Sequence, residues 1–220
     1  MRIGVLALQG AFAEHITALR CLKVEALPVR SPRELVGLDG LVIPGGESTS
    51  ISKLMCGYDL LGKIRKLAKN GLPILGTCAG MILLANKVSD VDVEPLGVMD
   101  IAVRRNAFGR QRESFETELV IPVLGGKPFP GVFIRAPLVE QANSGVEVLA
   151  RLADDTGCLT RSRVNLSDSI VAVRQGKLLA SAFHPELTDD LRFHRYFLDI
   201  MAEGADKAYS GGVFAKGNLG

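Results

Sequence analysis

The chain predicts an α/β fold: three layers, with a mixed, mostly parallel central sheet flanked by helices and antiparallel strands in its second half. Three observations carry this. Short apolar strands alternate with helical stretches through the first half, which implies right-handed crossovers and a parallel sheet covered on both faces. Two early strands run into glycine-bearing turns, "PGGES" and "GTCAG". From Leu96 onward strand follows strand, with one amphipathic helix near the end.

Residues 3–8 form a short apolar strand, and Phe12, Ile16, Leu19 and Leu22 follow at helical spacing. Residues 24–29 read as a second strand. In "SPREL", Ser31 is an N-cap, Pro32 takes the first helical position and Glu34 completes a capping box, so a helix is expected to start there. "GLVIPGG" is a third strand ending in glycines. A helix over residues 60–69 stops at Asn70-Gly71, and "LPILGT" is a fourth strand leading into a helix from Ala79. The later strands are "LGVMDIAVRR", "FETELVIPV", "GVFIRAPLV", "VEVLARL", "SIVAVRQ" and "KLLASAFHP", the last two joined by a hairpin turn at Gln175-Gly176-Lys177. A helix over 189–201 closes the core with Leu191, Tyr196, Phe197 and Ile200. Residues 1–203 are expected to form a single domain. Residues 154–169 read as a surface insertion, and the glycine-rich stretch 204–220 as a flexible tail.

The bulk properties exclude several function classes. A formal net charge of +2 is too small to argue for nucleic acid or an anionic membrane surface. No apolar run approaches the roughly 20 residues that a membrane-spanning helix needs. The apolar start meets Gln9 and Gly10 too soon for a signal peptide. Cys21, Cys56, Cys78 and Cys158 are scattered, with no C-x-x-C pair and no metal-ligand spacing to histidine. The expectation is a cytoplasmic protein without structural disulfides, metal or cofactor.

In open α/β sheets, ligands bind beyond the carboxyl ends of the strands, which places both glycine turns on one rim. "GTCAG" has the form of a nucleophile elbow, in which Gly76 and Gly80 allow a sharp strand-to-helix turn that projects Cys78. There the helix start favours a thiolate, and the Ala79 N–H points toward an oxyanion. A thiol nucleophile needs a base, and the chain holds three histidines. His184 precedes Pro185, so the chain there is expected to be extended, with His184 and Glu186 facing one side and the carboxylate orienting the imidazole. His15 and His194 fall on amphipathic helices and read as packed or exposed. Cys21 reads as lying on the apolar side of its helix. "IPGGES" offers a backbone N–H beside Cys78, with Ser48 or Thr49 as the cap of the next helix.

Together, "GVLALQGAFAEH", "LVIPGGEST", "GTCAGMILLA", "RRNAFGRQRESFE", "FIRAP" and "FHPEL" resemble the class I (triad) glutamine amidotransferases, most closely the glutaminase branch that serves pyridoxal 5'-phosphate synthase. The resemblance implies a flavodoxin-like fold and the hydrolysis of L-glutamine through a thioester on Cys78, with His184 as base and Glu186 as orienter. It implies an oxyanion hole from the N–H groups of Gly46 and Ala79. It also implies glutamine recognition by Gly46, Glu47, Ser48, Arg105, Ile134 and Arg135, with Gln9 and Gly10 near the oxyanion hole and the ammonia path. The implied partner is a separate (β/α)8-barrel synthase subunit that receives ammonia. Two other readings compete. One is a glutaminase feeding another acceptor, as in imidazole glycerol phosphate synthase, and the other is a non-enzymatic binding module on the same fold.

Overall fold

The structure, a computed structural model, describes residues 1–89, 93–108, 114–152 and 169–203. Strand β1 (Arg2–Leu6) leads through helix α1 (Phe12–Cys21) to β2 (Glu25–Val29), which pairs with it in parallel. The chain then crosses to the other side of β1 to form β3 (Gly40–Ile43). Helices α2 (Ser48–Gly57) and α3 (Leu61–Lys69) carry it to β4 (Ile74–Thr77), parallel to β3. The direction of winding therefore reverses between β1 and β3, and this switch point opens a crevice at the strand ends. Every residue of β3 and β4 is buried, as central parallel strands require.

The remaining strands are β5 (Ala85–Ser89), β6 (Met99–Arg104), β7 (Ser114–Leu119), β8 (Phe129–Ile134), β9 (Leu138–Ala142), β10 (Glu147–Arg151), β11 (Ile170–Gln175) and β12 (Leu178–Ser181). The main sheet runs β2-β1-β3-β4-β12-β11-β9-β6-β5, with β10 paired to β11. It is parallel from β2 to β12, and β11 and β9 are antiparallel to their neighbours. β7 and β8 form a separate antiparallel pair. Short helix α4 (Ala79–Leu84) follows β4, and α5 (Arg192–Ala202) closes the described chain. α5 lies against β3, where Phe197 and Met201 occupy the space beside Gly40. No helix among the described residues is long and apolar enough to cross a membrane.

Four expectations change. The capping box at Ser31 forms, with Glu34 Oε2 accepting the Ser31 N–H at 2.8 Å, but the helix is a single 3₁₀ turn, Pro32–Leu35. It stops because Val36 is extended and Gly37 takes φ +73°. "GVFIRAPLV" is two strands in different sheets, since Arg135 adopts φ +45° and Pro137 constrains the residue before it. The helix after Cys78 spans only 6 residues before the chain turns into β5, which the sequence reading does not contain. Likewise β7 ends at Leu119, and Pro122 opens a 3₁₀ turn rather than extending the strand. The hairpin at Gly176 is present between β11 and β12. The expected insertion at 154–169, apart from Ser169, and the expected tail at 204–220 lie outside the described residues.

Candidate active site

Cys78 stands between β4 and α4 with φ +48° and ψ −101°, a backbone region that residues with a side chain rarely enter. Such a conformation costs on the order of 1–3 kcal/mol and persists only where its surroundings enforce it. Here the Cys78 N–H donates to Ser181 O of the adjacent strand at 2.8 Å. The flanking glycines are steric necessities. A Cβ on Gly80 would stand 2.1 Å from Ile43 O, and one on Gly76 would stand 2.7 Å from the Gly80 carbonyl. The turn therefore brings β3, β4 and α4 into backbone contact and leaves the thiol at the strand ends. Its Sγ lies 3.7 Å from Ile134 O, at the end of β8.

His184 follows β12, which lies beside β4, so adjacency in the sheet delivers the imidazole to the thiol. The backbone N–H of His184 donates to Val132 O of β8 at 2.8 Å. A Cβ on Gly45 would stand 2.3 Å from His184 Cε1 and 3.3 Å from Cys78 Cβ, so the imidazole and the cysteine meet over a position that only glycine can occupy. His184 Nδ1 is 2.7 Å from Glu186 Oε1. The expected route to this pair was extended chain. Instead Pro185–Leu187 is a 3₁₀ turn that folds the carboxylate back onto the ring. Burial acts against the imidazolium, but the hydrogen bonds to Cys78 and Glu186 outweigh it and push His184 up to about 10. For Glu186, burial acts against the carboxylate while the facing His15 and His184 favour it, and the balance is a lowered pKa.

The "PGGES" turn is braced from three sides. Gly45 N–H donates to Thr77 Oγ1 at 3.1 Å, Ala11 N–H donates to Gly45 O at 3.1 Å, and Glu47 N–H donates to Gln9 Oε1 at 2.8 Å. Gly10, at φ +94°, lies so close to the turn that a Cβ would stand 1.8 Å from Gly45 O. Gln9 and Gly10 thus hold the turn in place. Glu47 caps α2 by accepting the N–H groups of Thr49 and Ser50 at 3.1 and 2.6 Å, so the expected cap by Ser48 or Thr49 is replaced. Burial opposes the Glu47 carboxylate, yet these hydrogen bonds hold its pKa down to about 2. Arg105 reaches the same carboxylate at 3.0 Å and Thr49 Oγ1 at 3.3 Å.

A cleft of about 470 Å³ opens over these groups. It is lined by Cys78 and His184 at its base, by Gln9, Gly46, Glu47 and Ser48 on one side, and by Arg105, Ile134 and Arg135 on the other. Ser48 is buried, and its hydroxyl has no hydrogen-bond partner. Among the sequence-predicted residues, Gly10, Ala79 and Glu186 do not line the cleft. Gly10 braces the turn, Ala79 begins α4 beside the nucleophile, and Glu186 lies behind the imidazole.

Ile82, Asn106 and Ser114 also line the cleft and were missed. Ile82 had a usable signal, being one helical turn past Cys78. Ser114 gave none, because its place depends on the pairing of β7 with β8. His15 and His194 are fully buried beside Glu186. Each sits within the apolar stripe of its helix, and a polar side chain there must find a partner. Cys21 is exposed, contrary to its expected place on an apolar face, because the buried face of α1 runs through His15, Ala18 and Leu19. Cys56 is also exposed; a partial loss of water around its thiol, together with the nearby Glu94 carboxylate, raises its pKa, which leaves it poorly activated. Cys158 lies outside the described residues.

A family model described as the SNO glutamine amidotransferase family matches residues 5–203. The pyridoxal 5'-phosphate synthase subunit PdxT of Moorella thermoacetica is 53% identical over 201 residues, covering 91% of this chain and all of the relative. The protein of the same name from Herpetosiphon aurantiacus is 55% identical over 203 residues, again covering 91% of this chain and all of the relative. A crystal structure described as a glutamine amidotransferase superposes with a TM-score of 0.80 at 49% identity, covering 91% of this chain and 98% of that one.

Proposed function

Because the chain belongs to the SNO glutamine amidotransferase family, we propose that Cys78, His184 and Glu186 are the triad with which it removes ammonia from L-glutamine. It is a glutaminase subunit of pyridoxal 5'-phosphate synthase, since the family is one of glutamine amidotransferases and its relatives, matched over their whole length, are named subunits of that synthase. The observation that carries the assignment of the triad is the crowding of Cys78 Cβ and His184 Cε1 around one glycine, with Glu186 holding the far ring nitrogen at 2.7 Å.

The chemistry follows from these positions. Cys78 sulfur attacks the side-chain amide carbon with its thiol proton already resting on His184, whose pKa of about 10 keeps the ring an imidazolium at neutral pH. The tetrahedral oxyanion accepts hydrogen bonds from the N–H groups of Gly46 and Ala79. Losing one such donor typically costs about 3 kcal/mol of barrier. His184 then protonates the departing ammonia, leaving a γ-glutamyl thioester on Cys78. Water activated by the same imidazole hydrolyses it to glutamate, with Glu186 keeping the ring aligned.

A free amino acid enters as a zwitterion, and the cleft carries both complements. Arg105 and Arg135 offer guanidinium groups to the α-carboxylate, while Glu47, ionised down to about pH 2, suits the α-ammonium. The buried Ser48 hydroxyl gives a further polar contact. Ile134 packs against the side-chain methylenes.

The ammonia is expected to pass to a separate (β/α)8-barrel synthase subunit, with Gln9 and Gly10 near its exit. Residues 1–203 act as one domain, and the free thiols of Cys21, Cys56 and Cys78 suit the cytoplasm. The test is glutamate release measured with and without the cognate synthase subunit, alongside pyridoxal phosphate formation. Wild-type protein should be stimulated by the partner, and Cys78→Ala should release no glutamate. Normal turnover by Cys78→Ala would refute the nucleophile.

A further inference from the structure

Behind the triad lies a second set of buried groups that the chemistry above does not use. His15 of α1 and His194 of α5 are fully buried, and their rings meet edge to face, with His15 Nδ1 2.9 Å from His194 Nε2. The other His15 nitrogen, Nε2, stands 3.2 Å from Glu186 Oε2 and 3.1 Å from Thr77 Oγ1. Thr77 Oγ1 also accepts the Gly45 N–H. One imidazole nitrogen therefore touches both the carboxylate that orients the base and the hydroxyl that anchors the oxyanion turn.

The positions of the protons follow from the partners. Burial lowers the pKa of His15, although the Glu186 charge opposes this, and burial beside His15 brings His194 down to about 3. Both rings are therefore neutral, and each carries one proton. His194 Nδ1 has no hydrogen-bond partner among the described residues. A buried N–H without an acceptor is rarer and worse than an unmatched lone pair, so the His194 proton sits on Nε2 and is donated to His15 Nδ1. The His15 proton is then on Nε2, facing the carboxylate and the threonine. The opposite arrangement would aim a lone pair at Glu186 Oε2 and strand a proton on His194 Nδ1. Oε2 accepts no hydrogen bond among the described residues, and the Nε2–H of His15, bonded to Thr77, presents its positive edge 3.2 Å away.

We propose that His15, with its tautomer set by His194, is a positioning residue that holds Glu186 and Thr77 so that the base and the oxyanion turn are aligned together. The proposal rests on the triad reading. His194, His15, Glu186, His184 and Cys78 form a line in which each member orients the next. It begins in the dry layer between α1 and α5 and ends in the cleft.

Two substitutions separate positioning from packing. The amide nitrogen of glutamine falls near the place of Nε2, whereas that of asparagine falls near Nδ1. In the assembled synthase complex, His15→Asn should lower kcat for glutamate release by about tenfold or more, with KM for glutamine within about twofold, since no substrate group is touched. His15→Gln should recover most of that loss. Equal losses in both variants, a loss confined to KM, or full activity in His15→Asn would overturn the proposal. Wild-type protein gives a check that needs no variant, through the ¹⁵N chemical shifts of the His15 ring. A neutral ring protonated on Nε2 is required, and an imidazolium or a proton on Nδ1 would overturn it. Cys78→Ala runs beside these variants. Activity there would sink the triad itself, whereas an inactive Cys78→Ala with an indifferent His15→Asn would sink only the positioning role.

Discussion

The strands assigned to the chemistry, β3, β4 and β12, are buried along their whole length, whereas of the two that reach the same cleft from outside the main sheet, β8 buries only alternate residues and β7 only Leu119. The first group lies inside the parallel part of the sheet and ends in turns whose geometry is dictated by backbone contact at Gly76 and Gly80 and by the His184 and Cys78 side chains over Gly45. The second is a two-stranded ribbon that supplies Ser114 and Ile134 and leads into Arg135, itself at φ +45°. Interiors are close-packed, so a group set by the buried strands cannot shift without moving its neighbours. The ribbon has no such constraint on its exposed face. Reaction geometry is thus assigned to the part of the fold that resists displacement. Substrate recognition is shared with a part that can vary without disturbing it.

The largest effect that sharpens this contrast should come from Gly45→Ala. The added methyl would stand 2.3 Å from His184 Cε1, so the imidazole must leave its place over the thiol. A displacement of about 1 Å in reacting groups costs roughly a hundredfold in rate, and kcat should fall by at least that much while KM changes little. Glutamate release at saturating glutamine measures this. A variant with near-wild-type kcat would mean that the rim tolerates movement, and the contrast with the ribbon would fail.

Across the cleft the pattern should invert. Arg105→Gln removes a cation beside the place assigned to the substrate carboxylate and leaves the Cys78–His184 contact alone. Hydrogen bonds to charged groups are worth about 1.5–3 kcal/mol, so KM for glutamine should rise roughly 10- to 100-fold with kcat changed only a fewfold. A fall in kcat at unchanged KM would place Arg105 in the chemistry instead.

The same division governs how much the sequence disclosed. The rim is local: "GTCAG" and "IPGGES" are short, and strand–helix alternation places them at one edge by topology alone. The Cys78, His184 and Glu186 assignments therefore needed only the knowledge that β4 and the strand before His184 are neighbours. The ribbon is not local. "GVFIRAPLV" looks like one strand because apolar residues run on both sides of Arg135, and the positive φ there divides it between two sheets. β5 was hidden because "ANKVS" is short and largely polar, so it carries no apolar strand pattern after α4. His15 and His194 were visible as polar residues in apolar stripes. What they meet depends on the packing of α1 against α5, whose contacting residues are separated by 179 positions.

The smallest effect concerns a proton rather than a rate. His184 titrates near 10, above the 6.5 of an unperturbed histidine, because hydrogen bonds to Cys78 and Glu186 overcome the burial that would lower it. A pKa raised in the folded state means that this proton stabilises the fold fully below pH 6.5, and that the contribution fades as pH rises through about 10. Cys78→Ala removes one of the two supporting partners and leaves the other, so the ring should titrate lower than in wild type, and its contribution to stability should be smaller and be exhausted at a lower pH. Imidazole resonances followed through a pH titration of both proteins would measure the difference. If the two midpoints coincide, Glu186 alone supports the imidazolium, and the coupling of thiol to imidazole inferred from their shared position over Gly45 is absent in the resting protein.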